Sequence, residues 1–213
     1  MSDHVILLHG LWMRGFSLIM LHRRLMEAGF RVHRFDYMSL ASQQERVLGR
    51  LHGLMKDLTP ATQVHLVGHS LGGLLALRAC TTDDDLPPGR IVCMGSPVLG
   101  SSAARHLAAM GRGGEALLGH NRMLLENGLE QWIGRREVGM IAGCTPIGLG
   151  SMLAHIPGAH DGTVAVAETR LPGLADHCLV EANHTGLLFS PTAARQVSCF
   201  LRTGQFEVLA LSA

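Results

Sequence analysis

The segment Gly68–Gly73 combines residue types and spacing that point directly to chemistry. It reads Gly-His-Ser-Leu-Gly-Gly, follows the apolar run Val64–Gly68 and opens a stretch of apolar residues at helical spacing. A strand that enters a helix through one tight turn holds its serine in a strained backbone conformation, and the flanking glycines leave room for that turn. We therefore predict that Ser70 is a nucleophile. The alternative is a glycine-rich turn without chemistry.

A serine hydroxyl is a poor nucleophile unless a base lies beside it. His184 is the best candidate among the thirteen histidines, because it lies in a loop between the last predicted strand and the last predicted helix. His177 lies at the start of that strand, where its side chain would point toward a face of the sheet. For His184 the alternative is an ordinary histidine in a surface loop.

The orienting acid is predicted to be Asp161. It follows the predicted strand Val138–Gly143, and a buried carboxylate there would fix the tautomer of the imidazole and stabilise the imidazolium. Asp176 is the main rival, but it precedes the strand His177–Ala182 and so lies at the opposite edge of the sheet. Asp161 would complete a Ser-His-Asp triad with the two residues above.

Acyl transfer to a serine develops an oxyanion, which needs backbone N–H donors already in place. Leu71 is one predicted donor, because it follows the nucleophile at the positive end of its helix. The second donor is expected in the loop His9–Trp12 after the first apolar run, with Leu11 as the best candidate. His9 is predicted to pack or to brace this loop.

Two apolar residues near the predicted site, Trp12 and Met13, suit a substrate with an apolar acyl part. Such residues are more often simply part of a core, so they are mild evidence for that substrate.

The elements that must position these residues alternate between short apolar runs and helical patterns. The helices are expected at Phe16–Ala28, Gln44–Leu58, Ser70–Cys80 and Pro191–Arg202. The alternation predicts an α/β fold with a mostly parallel sheet of about six strands and helices on both faces. The predicted strands are His4–Leu8, Arg31–Tyr37, Val64–Gly68, Arg90–Gly95, Val138–Gly143 and His177–Ala182.

A length of 213 residues fits one domain over residues 1–213. The segment 101–136 lacks clean periodicity and contains several glycines. Because loops over the carboxyl edge of a parallel sheet are where substrates meet the protein, we predict a small lid there. An ordinary pair of surface helices is the alternative.

Composition excludes several classes of protein. With 47% hydrophobic and 16% charged residues the chain is not disordered, and 18 basic against 17 acidic residues give no argument for a nucleic-acid partner. The sequence contains no run of about 18 apolar residues, so we expect no membrane span. Neither a signal peptide nor metal-ligand spacing is visible, so we expect a cytoplasmic protein without a metal or a cofactor.

The motifs together resemble those of small bacterial lipases and esterases of the α/β-hydrolase superfamily. The resemblance rests on His9-Gly10, Gly68–Gly73, Asp161-Gly162 and Asn183-His184. In addition, Gly95–Ser101 is similar to a Gly-Thr-Pro-x-x-Gly-Ser stretch that many of those lipases carry. The resemblance extends over nearly the whole chain, with the segment 101–136 least matched.

This resemblance implies a three-layer α/β-hydrolase fold, reduced by the loss of the first two antiparallel strands. It implies catalytic roles for Ser70, Asp161 and His184, with Leu11 and Leu71 as oxyanion donors. The expected activity is hydrolysis of a small-molecule carboxylic ester through an acyl-enzyme. A thioesterase or an acyltransferase with the same triad remains an alternative, as does a catalytically silent binding module. The oligomeric state stays open.

Overall fold

Six parallel strands form one sheet in the middle of the molecule. The computed structural model describes residues 3–58, 63–81, 85–148 and 156–208. The order across the sheet is β2-β1-β3-β4-β5-β6, and every neighbouring pair is parallel, which confirms the predicted sheet. The strands are β1 (His4–Leu8), β2 (Arg31–Phe35), β3 (Val64–His69), β4 (Ile91–Met94), β5 (Val138–Gly143) and β6 (Asp176–Val180).

Helices cover both faces of this sheet. Two of them, α2 and α3, share a core with one face, and α1 and α7 share a second core with the other, so the three-layer prediction is confirmed. In the described ranges the α-helices are α1 (Ile19–Glu27), α2 (Gln44–Asp57), α3 (Leu71–Ala79), α4 (Ser102–Ala109), α5 (Arg112–Leu118), α6 (Arg122–Asn127) and α7 (Pro191–Thr203).

Strand β1 shows why the apolar runs become buried strands. Successive side chains of a strand point to opposite faces, so a strand covered on both sides must be apolar throughout. Ile6 and Leu8 pack toward α2 and α3, whereas Val5 and Leu7 pack toward α1 and α7. All four side chains are fully buried.

Helix α7 follows directly from its sequence. Ser190 caps its first turn, because its Oγ accepts a hydrogen bond from Ala193 N at 3.1 Å. Ala193, Val197 and Phe200 then recur at helical spacing and are fully buried against the sheet. Gly204 ends the helix in the left-handed conformation, with φ of 81°.

Several element boundaries differ from the prediction by one to three residues, as for β6, which spans Asp176–Val180 instead of His177–Ala182. Two of the differences lie in loops at the carboxyl edge. The predicted strand Arg31–Tyr37 stops at Phe35, because Asp36 Oδ1 accepts a hydrogen bond from Gly15 N at 2.9 Å. The predicted helix from Phe16 begins instead as a 3-10 turn, Gly15–Leu18, and becomes an α-helix only at Ile19. Tertiary hydrogen bonds outweigh local pattern at both places.

The strand order creates a crevice between the carboxyl ends of β1 and β3. The chain leaves β1 for β2 on one side, and it leaves β3 for β4 on the other side. Ligands of open α/β sheets bind at such a switch point. The loop that begins at His9 and the turn at Ser70 both start there.

The segment 101–136 divides into two parts. Its first part forms α4, α5 and α6 on the side of the carboxyl edge. Its second part returns to the amino edge, where Trp132 N donates to Pro172 O at 2.8 Å and Arg136 Nη1 donates to Val64 O at 2.7 Å. A lid function for the helical part stays a prediction.

Candidate active site

Ser70 lies in a strained turn between β3 and α3. Its φ of 54° and ψ of −120° fall outside the regions that non-glycine residues usually occupy, as the sequence predicts. Two backbone hydrogen bonds hold this conformation. Ser70 N donates to Met94 O at 2.9 Å, and Gly73 N donates to Ser70 O at 3.1 Å. Strain kept in place by such contacts is typical of functional sites.

The glycines around Ser70 are required by close packing. A Cβ at Gly68 would overlap the backbone of Gly72, and a Cβ at Gly72 would overlap the carbonyl group of Leu8. Helix α3 therefore starts in direct contact with the ends of two strands. The expectation that this turn leaves no room for side chains is confirmed.

His184 and Asp161 form a hydrogen-bonded pair in which the carboxylate is buried and the imidazole is partly exposed. His184 Nδ1 lies 2.7 Å from Asp161 Oδ2, while Asp161 Oδ1 accepts from Thr163 N at 2.9 Å and from Val164 N at 2.8 Å. Only 1% of Asp161 is exposed. Because an ionised carboxylate only accepts hydrogen bonds, Nδ1 carries the proton and Nε2 keeps the lone pair that a base requires.

Gly95, directly after β4, forms the floor beneath this pair. With φ of 56°, it adopts a backbone conformation that favours glycine. A Cβ built there would lie 3.1 Å from Asp161 Oδ2 and 3.2 Å from His184 Nδ1. The backbone at the end of β4 therefore lies directly against the side chains of Asp161 and His184.

Ser70 and His184 line one cavity of about 410 Å³ at the carboxyl edge. Asp161 lies behind His184, away from solvent. The structure therefore brings together the three residues that the sequence singles out, although they come from loops after three different strands.

The rival acid Asp176 lies at the other edge of the sheet. It begins β6, where Oδ1 accepts from His177 N at 2.7 Å and Oδ2 accepts from Phe206 N at 2.7 Å. His177 Nε2 is 2.9 Å from Thr169 Oγ1. Neither Asp176 nor His177 lines the cavity, and both side chains have structural partners.

The two predicted oxyanion donors, Leu11 and Leu71, belong to the two turns that meet at Ser70. Leu71 is the first residue of α3, and Leu11 follows Gly10 in the turn after β1. No residue in the described ranges accepts a hydrogen bond from the N–H of Leu11 or Leu71. A Cβ at Gly10 would lie 3.2 Å from Ser70 Cβ, so this loop passes directly beside the serine.

The loop after β2 holds the loop that carries Leu11. Tyr37 donates its hydroxyl proton to His9 O at 2.5 Å, and Trp12 N donates to Ser39 Oγ at 3.1 Å. The ring of His9 stacks on that of Tyr37, with centroids 4.1 Å apart. Burial lowers the pKa of His9, so its neutral ring donates from Nδ1 to Gly10 O at 2.9 Å. His9 braces the loop, as predicted.

The cavity wall is apolar and extends onto the helical segment. Trp12 and Met13 line it, as predicted, and Trp12 Nε1 donates to Leu117 O at 2.9 Å, which joins the loop after β1 to α5. No Asp, Glu, Lys or Arg of the described ranges contributes to this wall. Its other apolar side chains include Leu11, Pro97, Leu107, Leu118, Leu125 and Val164.

Sequence reasoning missed the residues that hold the triad rather than perform its chemistry. The pattern Asp-Gly-Thr-Val after residue 160 is a signal for a turn in which an aspartate accepts from the following N–H groups, as Thr163 N and Val164 N show. Gly95 and His69 carry no comparable local signal, because their contacts with Asp161 and His184 join segments that meet only in the folded chain.

A second hollow of about 590 Å³ lies at the amino edge. Its arginines are already engaged: Arg90 Nε lies 2.6 Å from Glu137 Oε2, and Arg136 donates to Val64 O. Within the described ranges no three His, Cys, Asp or Glu side chains are placed to hold a metal ion. None of the helices found there combines the length and the apolar character needed to cross a membrane.

Comparison with known proteins agrees with this architecture. The model of the alpha/beta hydrolase family matches residues 5–205. The crystal structure of the Bacillus licheniformis lipase BlEst2 in mature form is similar at 17% identity over 94% of this chain and 91% of that chain, with a TM-score of 0.73. The crystal structure of Paleococcus ferrophilus monoacylglycerol lipase is similar at 16% identity over 92% of this chain and 91% of that chain, with a TM-score of 0.60.

The product of the Listeria innocua gene lin2722 is similar at 17% identity over 97% of this chain and 99% of that chain, with a TM-score of 0.62. A search of curated proteins found no significant match to this chain. The structural neighbours support the fold, and the family match covers almost the whole sequence. The predicted resemblance is confirmed: the chain belongs to the alpha/beta hydrolase family.

Proposed function

We propose that this hydrolase cleaves carboxylic esters through an acyl-enzyme formed on Ser70. The observation that carries the proposal is the hydrogen-bonded pair of His184 and Asp161, which leaves His184 Nε2 available in a cavity that Ser70 also lines. A strained serine, an oriented imidazole and two free N–H groups are the components that acyl transfer needs.

In the first half of the reaction, Ser70 Oγ attacks the acyl carbonyl carbon and its proton passes to His184 Nε2. A C–O bond forms, and the carbonyl oxygen becomes an oxyanion that the N–H groups of Leu11 and Leu71 stabilise. The bond between the acyl carbon and the alcohol oxygen then breaks, and His184 gives its proton to the departing alcohol. The acyl group stays on Ser70.

In the second half, water enters and loses a proton to His184 Nε2 while its oxygen attacks the acyl carbon. The second tetrahedral intermediate collapses, the bond to Ser70 Oγ breaks, and His184 returns the proton to the serine. Asp161 remains ionised throughout. It keeps the imidazole in one tautomer and stabilises the imidazolium that exists between the two proton transfers.

The substrate we propose is a neutral ester with an apolar acyl part. A cavity of about 410 Å³ is of the size that small-molecule sites have, and its described wall contains no charged side chain apart from the imidazole of His184 when protonated. A charged group on the acyl part would lose its hydration without gaining a partner of opposite charge. Two of the similar proteins are named a lipase and a monoacylglycerol lipase, which fits this class.

A matched pair of substrates tests the proposal. Purified protein is assayed with p-nitrophenyl butyrate and with the p-nitrophenyl monoester of succinate, which has similar length but a carboxylate at its end. We expect kcat/KM at least about tenfold higher for the butyrate, a difference of about 1.4 kcal/mol. Ser70→Ala should abolish turnover of both.

Two results would count against ester hydrolysis by this site. One is turnover that survives Ser70→Ala. The other is absence of turnover across a series of neutral esters from acetate to laurate. Faster turnover of the matched thioester, or transfer to an added alcohol in preference to water, would assign the same triad to a thioesterase or an acyltransferase.

A further inference from the structure

His69 is the residue of the Gly-His-Ser-Leu-Gly-Gly motif with a polar side chain that has no role in the reaction derived above. It ends β3 immediately before Ser70, and 2% of it is exposed. Its Nε2 lies 2.9 Å from the main-chain oxygen of His184, and the two imidazole centroids are 4.7 Å apart. The contact therefore joins the strand that carries the nucleophile to the loop that carries the base.

We propose that His69 is a positioning residue, which holds His184 in reach of Ser70 by donating a hydrogen bond to its carbonyl group. The inference rests on the proposed function, because it assumes that His184 is the base. It concerns a residue that lines the cavity beside Ser70 but takes no part in the proton transfers derived above.

The hydrogen bond defines the tautomer of His69. A carbonyl oxygen only accepts, so Nε2 must carry the proton. Nδ1 is buried and has no hydrogen-bond partner among the described residues. A proton on Nδ1 would leave a buried donor unsatisfied and would set the lone pair of Nε2 against a carbonyl oxygen. The tautomer with the proton on Nε2 is therefore strongly favoured.

His69 also stays neutral over the range in which esterases are assayed. Burial, followed by the nearby charge of His184, lowers the pKa of His69 to about 3. The titratable groups that face it are His184 and Asp161 from the loops after β6 and β5, and His9 from the loop after β1. With its pKa lowered this far by burial, His69 is a weak base and does not compete with His184 for the proton of Ser70.

The main chain of His184 is thus held on both sides. Its N–H donates to Asp161 O at 2.8 Å, and its carbonyl group accepts from His69. The carboxylate of Asp161 fixes the orientation of the His184 ring. His69, at the end of β3 and next to Ser70, fixes the main chain of His184 relative to that strand. Without the second contact, nothing else in the described structure donates to the carbonyl group of His184.

Two variants of similar volume separate hydrogen bonding from packing. In His69→Gln the amide can still donate to the carbonyl group of His184, whereas in His69→Met the space is filled without a donor. We expect His69→Met to lower kcat about 100-fold with KM changed less than about threefold, because a displacement of the order of 1 Å costs that much. His69→Gln should recover at least about tenfold of the loss.

Two further measurements make the result decisive. The ring proton on His184 Nδ1, which bonds to Asp161 Oδ2, should give a low-field resonance in the parent and in His69→Gln. In His69→Met this resonance should be broadened or absent. His177→Met serves as the control, since it removes a comparable imidazole contact to Thr169 Oγ1 at the amino edge. That variant should keep kcat.

Equal kcat in His69→Met and His69→Gln would overturn the positioning role. If His69→Met fails to fold, His69→Gln decides alone: the proposal requires a kcat within about tenfold of the parent and the low-field resonance, and loss of either overturns it. Failure of the proposed function is recognised separately, because Ser70→Ala would then leave the parent rate unchanged.

Discussion

His184 is bound twice by Asp161: its Nδ1 lies 2.7 Å from Asp161 Oδ2, and its backbone N–H donates to Asp161 O at 2.8 Å. One residue therefore sets both the ring orientation and the course of the loop. A substitution that alters only the carboxylate leaves the backbone contact in place, so the chemistry of the acid can be tested without dismantling the loop.

Asp161→Asn should retain the fold and lose turnover. The amide keeps an oxygen for Thr163 N and Val164 N, but its NH₂ group then faces His184 Nδ1 and favours the wrong tautomer of the imidazole. In a serine protease this kind of change lowers kcat about 10⁴-fold, or about 5 kcal/mol of barrier. Steady-state kinetics with a p-nitrophenyl ester measures the effect.

The control for that variant is Asp176→Asn, at the amino edge, which should change kcat less than about tenfold. A small effect at Asp161 beside a large one at Asp176 would overturn the assignment of the acid and leave Ser70 in place.

Gly95→Ala should damage catalysis more than stability. The new Cβ would lie 3.0 Å from Leu187 Cδ1, 3.1 Å from Asp161 Oδ2 and 3.2 Å from His184 Nδ1, so these neighbours must move by a few tenths of an ångström. The φ of 56° adds strain of about 1–2 kcal/mol. We expect a loss of kcat of about tenfold or more, measured together with the free energy of unfolding in urea.

Gly111→Ala provides the matched comparison for this glycine. Its φ of 84° imposes similar backbone strain, but nothing lies within 4 Å of the added Cβ. If both alanine variants lose stability equally and both keep kcat, the floor beneath the acid and the base has no catalytic importance.

Trp12 should contribute to binding of the acyl part and to the attachment of α5. It lines the cavity, half of it is exposed, and its Nε1 donates to Leu117 O at 2.9 Å. Trp12→Phe keeps an aromatic ring and removes the donor, whereas Trp12→Ala removes both. Only Trp12→Ala should raise KM, by about tenfold for an octanoyl ester and less for an acetyl ester, because an acetyl group has far less apolar surface to bury. The same increase in KM for both esters would argue that Trp12 does not contact the acyl chain.

Acid should destabilise the fold through buried neutral histidines. Burial lowers the pKa of His9 and of His65, and it lowers that of His69 to about 3. Below about pH 6.5 the unfolded chain binds protons that the folded chain does not, so the free energy of unfolding falls as pH decreases, until the folded pKa is reached. Each histidine that stays fully neutral in the folded chain lowers the free energy of unfolding by about 1.4 kcal/mol for every pH unit below 6.5.

Urea unfolding at pH 7.5, 6.0 and 5.0 checks this slope. His69→Gln should unfold with a shallower dependence on pH than the parent between pH 6.5 and pH 4, since one buried titratable group is gone. A parent stability that does not change over this interval would show that the buried histidines take up protons without unfolding.

The strands, and the predicted catalytic residues that follow them, were predictable from the sequence for the same physical reason. Strands buried on both faces must be apolar throughout, as β1 is, so their positions and the loops that follow them are visible in the chain. The carboxyl ends of parallel strands meet at one edge. Ser70, at the end of β3, and His184, after β6, are therefore expected to lie on the same side of the sheet.

The supporting contacts were not predictable, because they join segments far apart in the chain. Gly95 matters through its approach to Asp161, and His69 through its hydrogen bond to a residue 115 positions later. The helices of the segment 101–136 are short and end at glycines such as Gly119, which have positive φ values. Short helices of this kind show weak periodicity and depend on packing.

The measurement that tests the triad most directly is the location of a covalent adduct. The protein is incubated with a fluorophosphonate, which reacts with a serine activated by a base, and the modified peptide is identified by mass spectrometry. Ser101 is the internal control, since it also lines the cavity but its Oγ accepts from Ala104 N as the cap of α4. The account predicts one adduct, on Ser70, that persists in Ser101→Ala and is absent in Ser70→Ala. An adduct on Ser101, or labelling that survives Ser70→Ala, would contradict it.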